Sequence, residues 1–226
     1  MTLPEALQAL EEMGTAQNRK VYARHGTGPD TFGVSFANLG KLRKRIGRDH
    51  ILARELWASG NFDARCLALL VADPGKATSR ELDQWAKSVT CYTHADLLAL
   101  HVAGKTPFAK ETAEAWAKSK RDFTAQAGYA TLAVLAKDDG GLPDAYFEQW
   151  LRTIEAGIHA AGNRTRHAMN NALIAIGIRN SALEKLALKA AARIGKVEVD
   201  HGETNCATPD AAAYILKAVA RKASRR

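Results

Sequence analysis

Cysteine is scarce in this chain. Cys66, Cys91 and Cys206 are an odd number with no paired spacing, which excludes a disulfide framework. Cys66 and Cys91 fall in mostly apolar helical runs, where a thiol behaves as a small buried hydrophobe, and free thiols point to a reducing cytoplasm. Long apolar runs are missing too. None approaches the roughly 18 residues that a membrane span needs. The opening MTLPEALQALEEMG is acidic and helical, without the basic start, apolar stretch and small-residue cleavage site of a secretory signal. The expected location is the cytoplasm, on the nucleoid if the source is bacterial.

Strand signals are equally thin. Aromatics make up 7% of the residues, β-branched runs are short, and only Lys196–Asp200 alternates, for a few residues. Because no strand precedes them, Gly26, Gly28 and Gly33 do not form a nucleotide-binding loop. Asp200, His201, Glu203 and Cys206 lack the paired C-x-x-C or H-x-x-x-H spacing of common zinc sites. They are expected to belong to a turn and helix-cap network, with Gly202 in a positive-φ turn, Thr208 as an N-cap and Asp210 set against the helix dipole. No cofactor and no metal are expected.

What the chain does have is helix punctuation. The 226 residues read as about a dozen helices joined by short loops. Thr2 with Pro4, Ser35, Asp49, Asn61, Thr78 or Ser79, Asn163, Asn180 and Thr208-Pro209-Asp210 are start signals, and Gly14, Gly26, Gly47 and Gly140-Gly141 are breaks. A four-helix bundle has too few helices and a globin fits poorly. Antiparallel helix pairs repeating every roughly 35–45 residues fit a HEAT-like or ARM-like array. The expected fold is thus an all-α superhelical array of stacked helix pairs, a single domain over residues 1–220 with a basic tail over 221–226. Trp85 and Trp116 lie on apolar faces and are expected in the core.

The second positive feature is charge. The formal net charge is +8 and the sequence pI about 9.5, which favours polyanions. Lys41, Arg43, Lys44, Arg45 and Arg48 put five cations within eight residues. Lys118, Lys120 and Arg121 form a group at a helix junction. Arg164 and Arg166, with His167, stand at a helix N-terminus, where two guanidinium groups and the dipole would suit a phosphate. Each cluster alone could be a solvated helix face. Three of them on a curved helical array point to a polyanion groove, for nucleic acid first and an acidic membrane surface second, where phosphate contacts would position a duplex without reading sequence.

The stretch Trp85–Val102, WAKSVTCYTHADLLALHV, reads as a helix with Thr90 as a candidate cap. Tyr92 and Asp96, four residues apart, share one face. His94 points about 200° away from Tyr92 and is expected to be a satisfied, partly buried histidine.

Four segments, LWASGNFDARCLALLVAD, ELDQWAKSVTCYTHADLL, PFAKETAEAWAKSKRDFTAQAGYATLAVLAK and NRTRHAMNNALIAIGIRN, resemble in order the HEAT-like DNA alkylation repair family (the AlkD type). KVEVDHGETNCATPDAAAYI resembles a tail found in many members. The resemblance covers residues 30–216 and implies an all-α superhelix holding duplex DNA on a basic concave face. Active members remove N3- and N7-alkylated purines. Such a base already carries a positive charge, so its departure needs no proton, and a carboxylate near the sugar stabilises the developing cation. An aromatic face suits the cationic base. The resemblance implies an aromatic and an acid four positions apart, with an arginine and a second tryptophan on later helices. Asp96 stands at the acid and Tyr92 at a position usually tryptophan. Gln126 stands where the arginine is expected, and Asn171 where the second tryptophan is.

Three functions remain open on these residues. One is a monofunctional DNA glycosylase with Asp96 as the electrostatic stabiliser and Tyr92 as a wall of the site. The second is a HEAT-like module that binds branched or damaged DNA without excising a base. The third is a protein-binding scaffold, against which the basic clusters count. The expected partner is duplex DNA, alkylated in the enzyme reading, and the expected state is a monomer.

Overall fold

The computed structural model describes residues 1–138 and 141–224. Among them are thirteen α-helices and no strand, and a lone bridge pairs Gly14 with Val34. Backbone packing divides the chain into two compact units. One comprises Met1–Phe108 with His201–Asn205, and the other Ala109–Asp200 with the residues from Cys206 on.

The first unit contains Leu3–Met13 (α1), Ala16–Arg24 (α2), Phe36–Ile46 (α3), His50–Ala58 (α4), Phe62–Val71 (α5), Ser79–Ser88 (α6) and Tyr92–His101 (α7). Its helix starts follow the side-chain caps. Ser35, Asp49, Asn61 and Thr78 each accept a bond from the amide three residues on, satisfying a donor the helix cannot. Helices α3, α5 and α7 pack in a row, and α4 pairs with α5. The core of α5 is nearly continuous, with Cys66, Leu67, Ala68 and Leu69 at 0% exposure. Each buried leucine there contributes on the order of 2 kcal/mol.

Trp85–Val102 is not one helix. Helix α6 ends at Ser88, Val89 turns into extended backbone, and Cys91, rather than Thr90, stands at the N-cap of α7 without a side-chain cap bond. The cause is tertiary. Trp85 stacks on Trp57 with ring centroids 5.0 Å apart, and the Trp57 indole donates to the Ser88 hydroxyl at 3.1 Å. The Arg65 guanidinium, from α5, takes the Ser88 carbonyl at 3.3 Å. These bonds hold Ser88 as the end of α6, and Val89 is buried beyond it.

The second unit contains Ala109–Ala117 (α8), Asp122–Lys137 (α9), Asp144–Gly157 (α10), Asn163–Gly177 (α11), Ser181–Ile194 (α12) and Ala211–Ala223 (α13). Here α9, α11 and α13 form the row, α8 lies against α9, and α12 lies against both α10 and α11. Phe147, Leu132, Ile154 and Ile176 are fully buried in its core. Helices α8 and α9 approach backbone to backbone at Gly128. A Cβ on Gly128 would sit 2.3 Å from the Ala117 amide nitrogen, so glycine is what lets the two backbones meet.

Two of the expected helix limits move. Asp210, rather than Thr208, is the N-cap of α13, accepting from the Ala213 amide at 2.8 Å. Thr208 instead faces the His167 ring at 3.3 Å. The last helix runs through Ala223, so Arg221 and Lys222, expected in a tail, are helical. Gly140 of the expected Gly140-Gly141 break, and Arg225 and Arg226 of the tail, lie outside the described residues.

Candidate nucleic-acid interface

Tyr92 and Asp96 occupy the first turns of α7 on one face, as their spacing requires. Asp96 is exposed and Tyr92 half-buried. His25, at the C-cap of α2, meets Tyr92 through a hydrogen bond between the ring Nδ1 and the phenol oxygen. The two rings lie 6.1 Å apart and tilted by 58°. His25 was not singled out by the sequence. It is 67 residues away, and no local pattern joins it to Tyr92.

The loop that follows His25 is anchored by a buried carboxylate. Asp63, at 0% exposure, accepts bonds from the amides of Phe32, Gly33 and Val34 and from the Thr31 hydroxyl, at 2.7–3.0 Å. Gly33, at φ +78°, lets the chain curl around that carboxylate. Tyr22, on α2, donates to the Val34 carbonyl at 2.6 Å, and burial pushes its phenol up to about 12. Helix α2 and the loop are therefore fixed to α5, and His25 is held beside α7.

His94 is buried more deeply than expected, at 2% exposure. Its Nε2 donates to the Phe62 carbonyl at 3.0 Å, and its ring packs among Trp57 and Phe62. Burial lowers it to about 4. The Phe62 bond opposes this and the Arg65 charge adds to it. His94 is a neutral core residue. The two thiols of this unit are buried as expected, and burial drives Cys66 well up and Cys91 to about 11. Trp85 and Trp116 are core, at 5% and 4% exposure.

The basic clusters differ in character. Lys41, Arg43, Lys44 and Arg45 project from α3 and are all exposed. Lys41 also touches the Asn38 side chain at 3.1 Å. Lys118, Lys120 and Arg121, between α8 and α9, are exposed as well. The third cluster is changed by its surroundings. Asp122 places its carboxylate on the N-terminus of α11, accepting from the Arg164 and Thr165 amides at 3.0 and 2.8 Å and from the Thr165 hydroxyl at 2.7 Å. Burial raises this carboxyl, but those bonds and the Arg164 charge outweigh it and hold it below the usual range. The helix end expected to take a phosphate is thus already occupied by an internal anion. Gly162 is required there, because a Cβ would lie 2.4 Å from the Asp122 carboxylate oxygen.

Arg166 is a brace. Its guanidinium donates to the carbonyls of His159, Ala161 and Glu198 at 2.8–3.2 Å. Asp122 also joins two clusters that the sequence separates, since Arg121 precedes it and Arg164 receives it. Gln126, on α9, is 1% exposed, and Asn171, on α11, is half-buried. The neighbouring Asn170, which the sequence did not single out, donates to the Pro209 carbonyl at 2.9 Å.

Asp200 belongs to a loop lock. Its backbone amide and carbonyl bond the Asn163 side chain at 2.8 and 2.7 Å. Gly202 adopts φ +63°, the positive-φ turn expected of it. Among the described residues, no three His, Cys, Asp or Glu side chains gather as metal ligands, and no helix is long and apolar enough to cross a membrane.

Residues 6–215 match the family model described as DNA alkylation repair enzyme. The chain is 32% identical to Lin0241 of Listeria innocua serovar 6a over 222 residues, covering 96% of this chain and 95% of that protein. It is equally similar to Lmo0209 of Listeria monocytogenes serovar 1/2a. A solved structure described as "a new family of proteins related to the HEAT-like repeat DNA glycosylases with affinity for branched DNA structures" superposes with a TM-score of 0.90. That match is at 27% identity and covers 98% of this chain and 95% of that one. The fold is accordingly the all-α HEAT-like repeat architecture.

Proposed function

We propose, for a chain that belongs to the DNA alkylation repair enzyme family, that it binds DNA, branched or damaged, and does not excise a base. The observation that carries this reading is Gln126. Where the resemblance calls for an arginine, a neutral amide sits at 1% exposure among the packed residues of α9. An amide cannot supply a guanidinium's charge or its paired phosphate bonds. Asn171 likewise offers no aromatic face at the second tryptophan position. The exposed cations of α3 and of the α8–α9 junction supply the sequence-independent grip on phosphate. The branched-DNA affinity attributed to the structural relative supports the same reading. The chain acts as a monomer on cytoplasmic DNA, without a cofactor.

A second reading is kept alive by one observation. Asp96 is exposed, with Tyr92 one turn before it, as base excision by electrostatic stabilisation needs. The two readings separate on duplex containing 7-methylguanine. Binding without release of methylated base is expected, and Asp96→Asn should bind as the parent does. Released base that disappears in Asp96→Asn would establish the glycosylase instead.

A further inference from the structure

A cleft of about 500 Å³ opens in the first unit where α3, α5 and α7 end. Its basic side chains are Arg43, Lys44, Arg48 and Lys105, with the His101 ring beside them. Three devices build it. Gly47, at φ +75°, ends α3 and lets the chain turn so that Arg48 follows the helix onto the same rim. After α7, Val102 leaves helical backbone and a short 3-10 turn, Ala103–Lys105, brings Lys105 round beside His101. Gly40 and Gly47 have nothing within 4 Å of where a Cβ would stand, so the cleft is open at both.

Helix C-termini carry partial negative charge, and cations there commonly only balance it. Here four of them, Arg43, Lys44, Arg48 and Lys105, line one cleft. His101 is the last residue of α7, where the helix end by itself would favour the charged ring. Instead it is depressed to about 4, by burial first and then by Lys105 and Arg43. Burial is the largest cause of this, and the two cations act in the same direction. The lining contains no carboxylate. A counter-charge, Asp73, stands 3.8 Å from Arg48. Its oxygen also accepts the Gly75 amide at 3.0 Å. Arg48 also reaches the Ala72 carbonyl, at 3.4 Å, and its side chain remains 57% exposed.

We propose that this cleft is a phosphate-binding site, held by Arg43, Arg48 and Lys105 with His101 at its wall. A phosphate group would take charge-assisted bonds from the guanidinium and ammonium groups. Its negative charge would make a protonated His101 favourable, adding a second N–H donor to the one the neutral ring carries. The phosphate comes either from a DNA backbone or end, which rests on the DNA-binding reading, or from a free phosphate compound, which does not.

The full-length chain is titrated with pyrophosphate while the His101 ring is followed by NMR, its signals assigned with His101→Gln. Pyrophosphate should move the ring signals and raise the His101 pKa above about 4. Arg48→Ala with Lys105→Ala should weaken that binding about tenfold or more. Both of these side chains lie at the surface of the rim, and circular dichroism checks that the double variant is folded. A ring that stays silent up to about 10 mM pyrophosphate, a concentration above any useful affinity, overturns the proposal. So does a folded double variant that binds as tightly as the parent. A 5′-phosphorylated branched duplex that displaces pyrophosphate supports the DNA source. A duplex that binds without displacing it supports a free phosphate compound. If no duplex binds at all, the DNA-binding reading fails while the pyrophosphate titration still decides the cleft.

Discussion

Asp63 and Asp122 are each set against backbone amides, Asp63 in a loop and Asp122 at the N-terminus of α11. Asp63 is fully buried and takes its bonds from the loop at Thr31–Val34. In Asp63→Asn, an amide group would face amide donors. Stability in urea is expected to fall by about 3 kcal/mol, as for breaking a buried charged network. Loss of order around His25 should accompany it. Asp122 makes stability depend on pH. Its folded-state pKa is depressed, so its contribution is present above the unfolded value of about 3.9 and is lost as pH falls through the lower folded value. Thermal melts of the parent and Asp122→Asn should differ at neutral pH and converge as pH falls through the depressed folded value. His94 is a histidine whose pKa is lowered rather than raised. Since the unfolded chain takes up its proton near pH 6.5 and the folded one only near about 4, stability should decline as pH falls through that window. The loss is on the order of 3 kcal/mol at its acid end. His94→Gln should flatten part of it, because the amide can still donate to the Phe62 carbonyl.

Helix contacts set the second scale. The α8–α9 pair meets backbone to backbone at Gly128, and the atoms within 3 Å of a new Cβ there are Ala117 and Trp116 main chain, which cannot rotate away. Gly128→Ala should therefore destabilise the chain by about 1–3 kcal/mol despite its better helix propensity, read from the midpoint of urea unfolding. The break between α6 and α7 is also decided by packing. Arg65 lies over the Trp57 ring at 4.9 Å and bonds the Trp57 and Ser88 carbonyls. The sequence offers a break here through the candidate cap Thr90, and a side chain from a third element holds Ser88 as the end of α6, with the N-cap one residue after Thr90, at Cys91.

For the whole molecule, the formal charge of +8 governs association with any polyanion. If α3 grips phosphates, DNA binding should weaken steeply with salt. Replacing Lys44 and Arg45 by alanine should then lower the slope of log affinity against log salt by about two. A filter-binding series from low to physiological salt measures it, and an unchanged slope would remove these two residues from the interface. Arg166→Ala should behave otherwise. Because its guanidinium bonds three backbone carbonyls, its loss should appear first in stability.

The sequence by itself determined the helices, most of their starts, and the distribution of charge. Those depend on local chemistry: a cap oxygen and the amide three residues on, a periodic apolar face, a lysine count. It also placed Tyr92 and Asp96 together, because helical spacing is fixed by the backbone. Tertiary structure alone decided what meets those faces. It brought His25 to Tyr92 across 67 residues and gave the α11 N-terminus to Asp122. It buried Gln126 and His94, and it turned Arg166 inward to carbonyls. Each is a pairing between residues far apart in the chain. Local composition carries no record of a distant partner, so only packing could choose which polar groups would satisfy one another and which cations would remain at the surface.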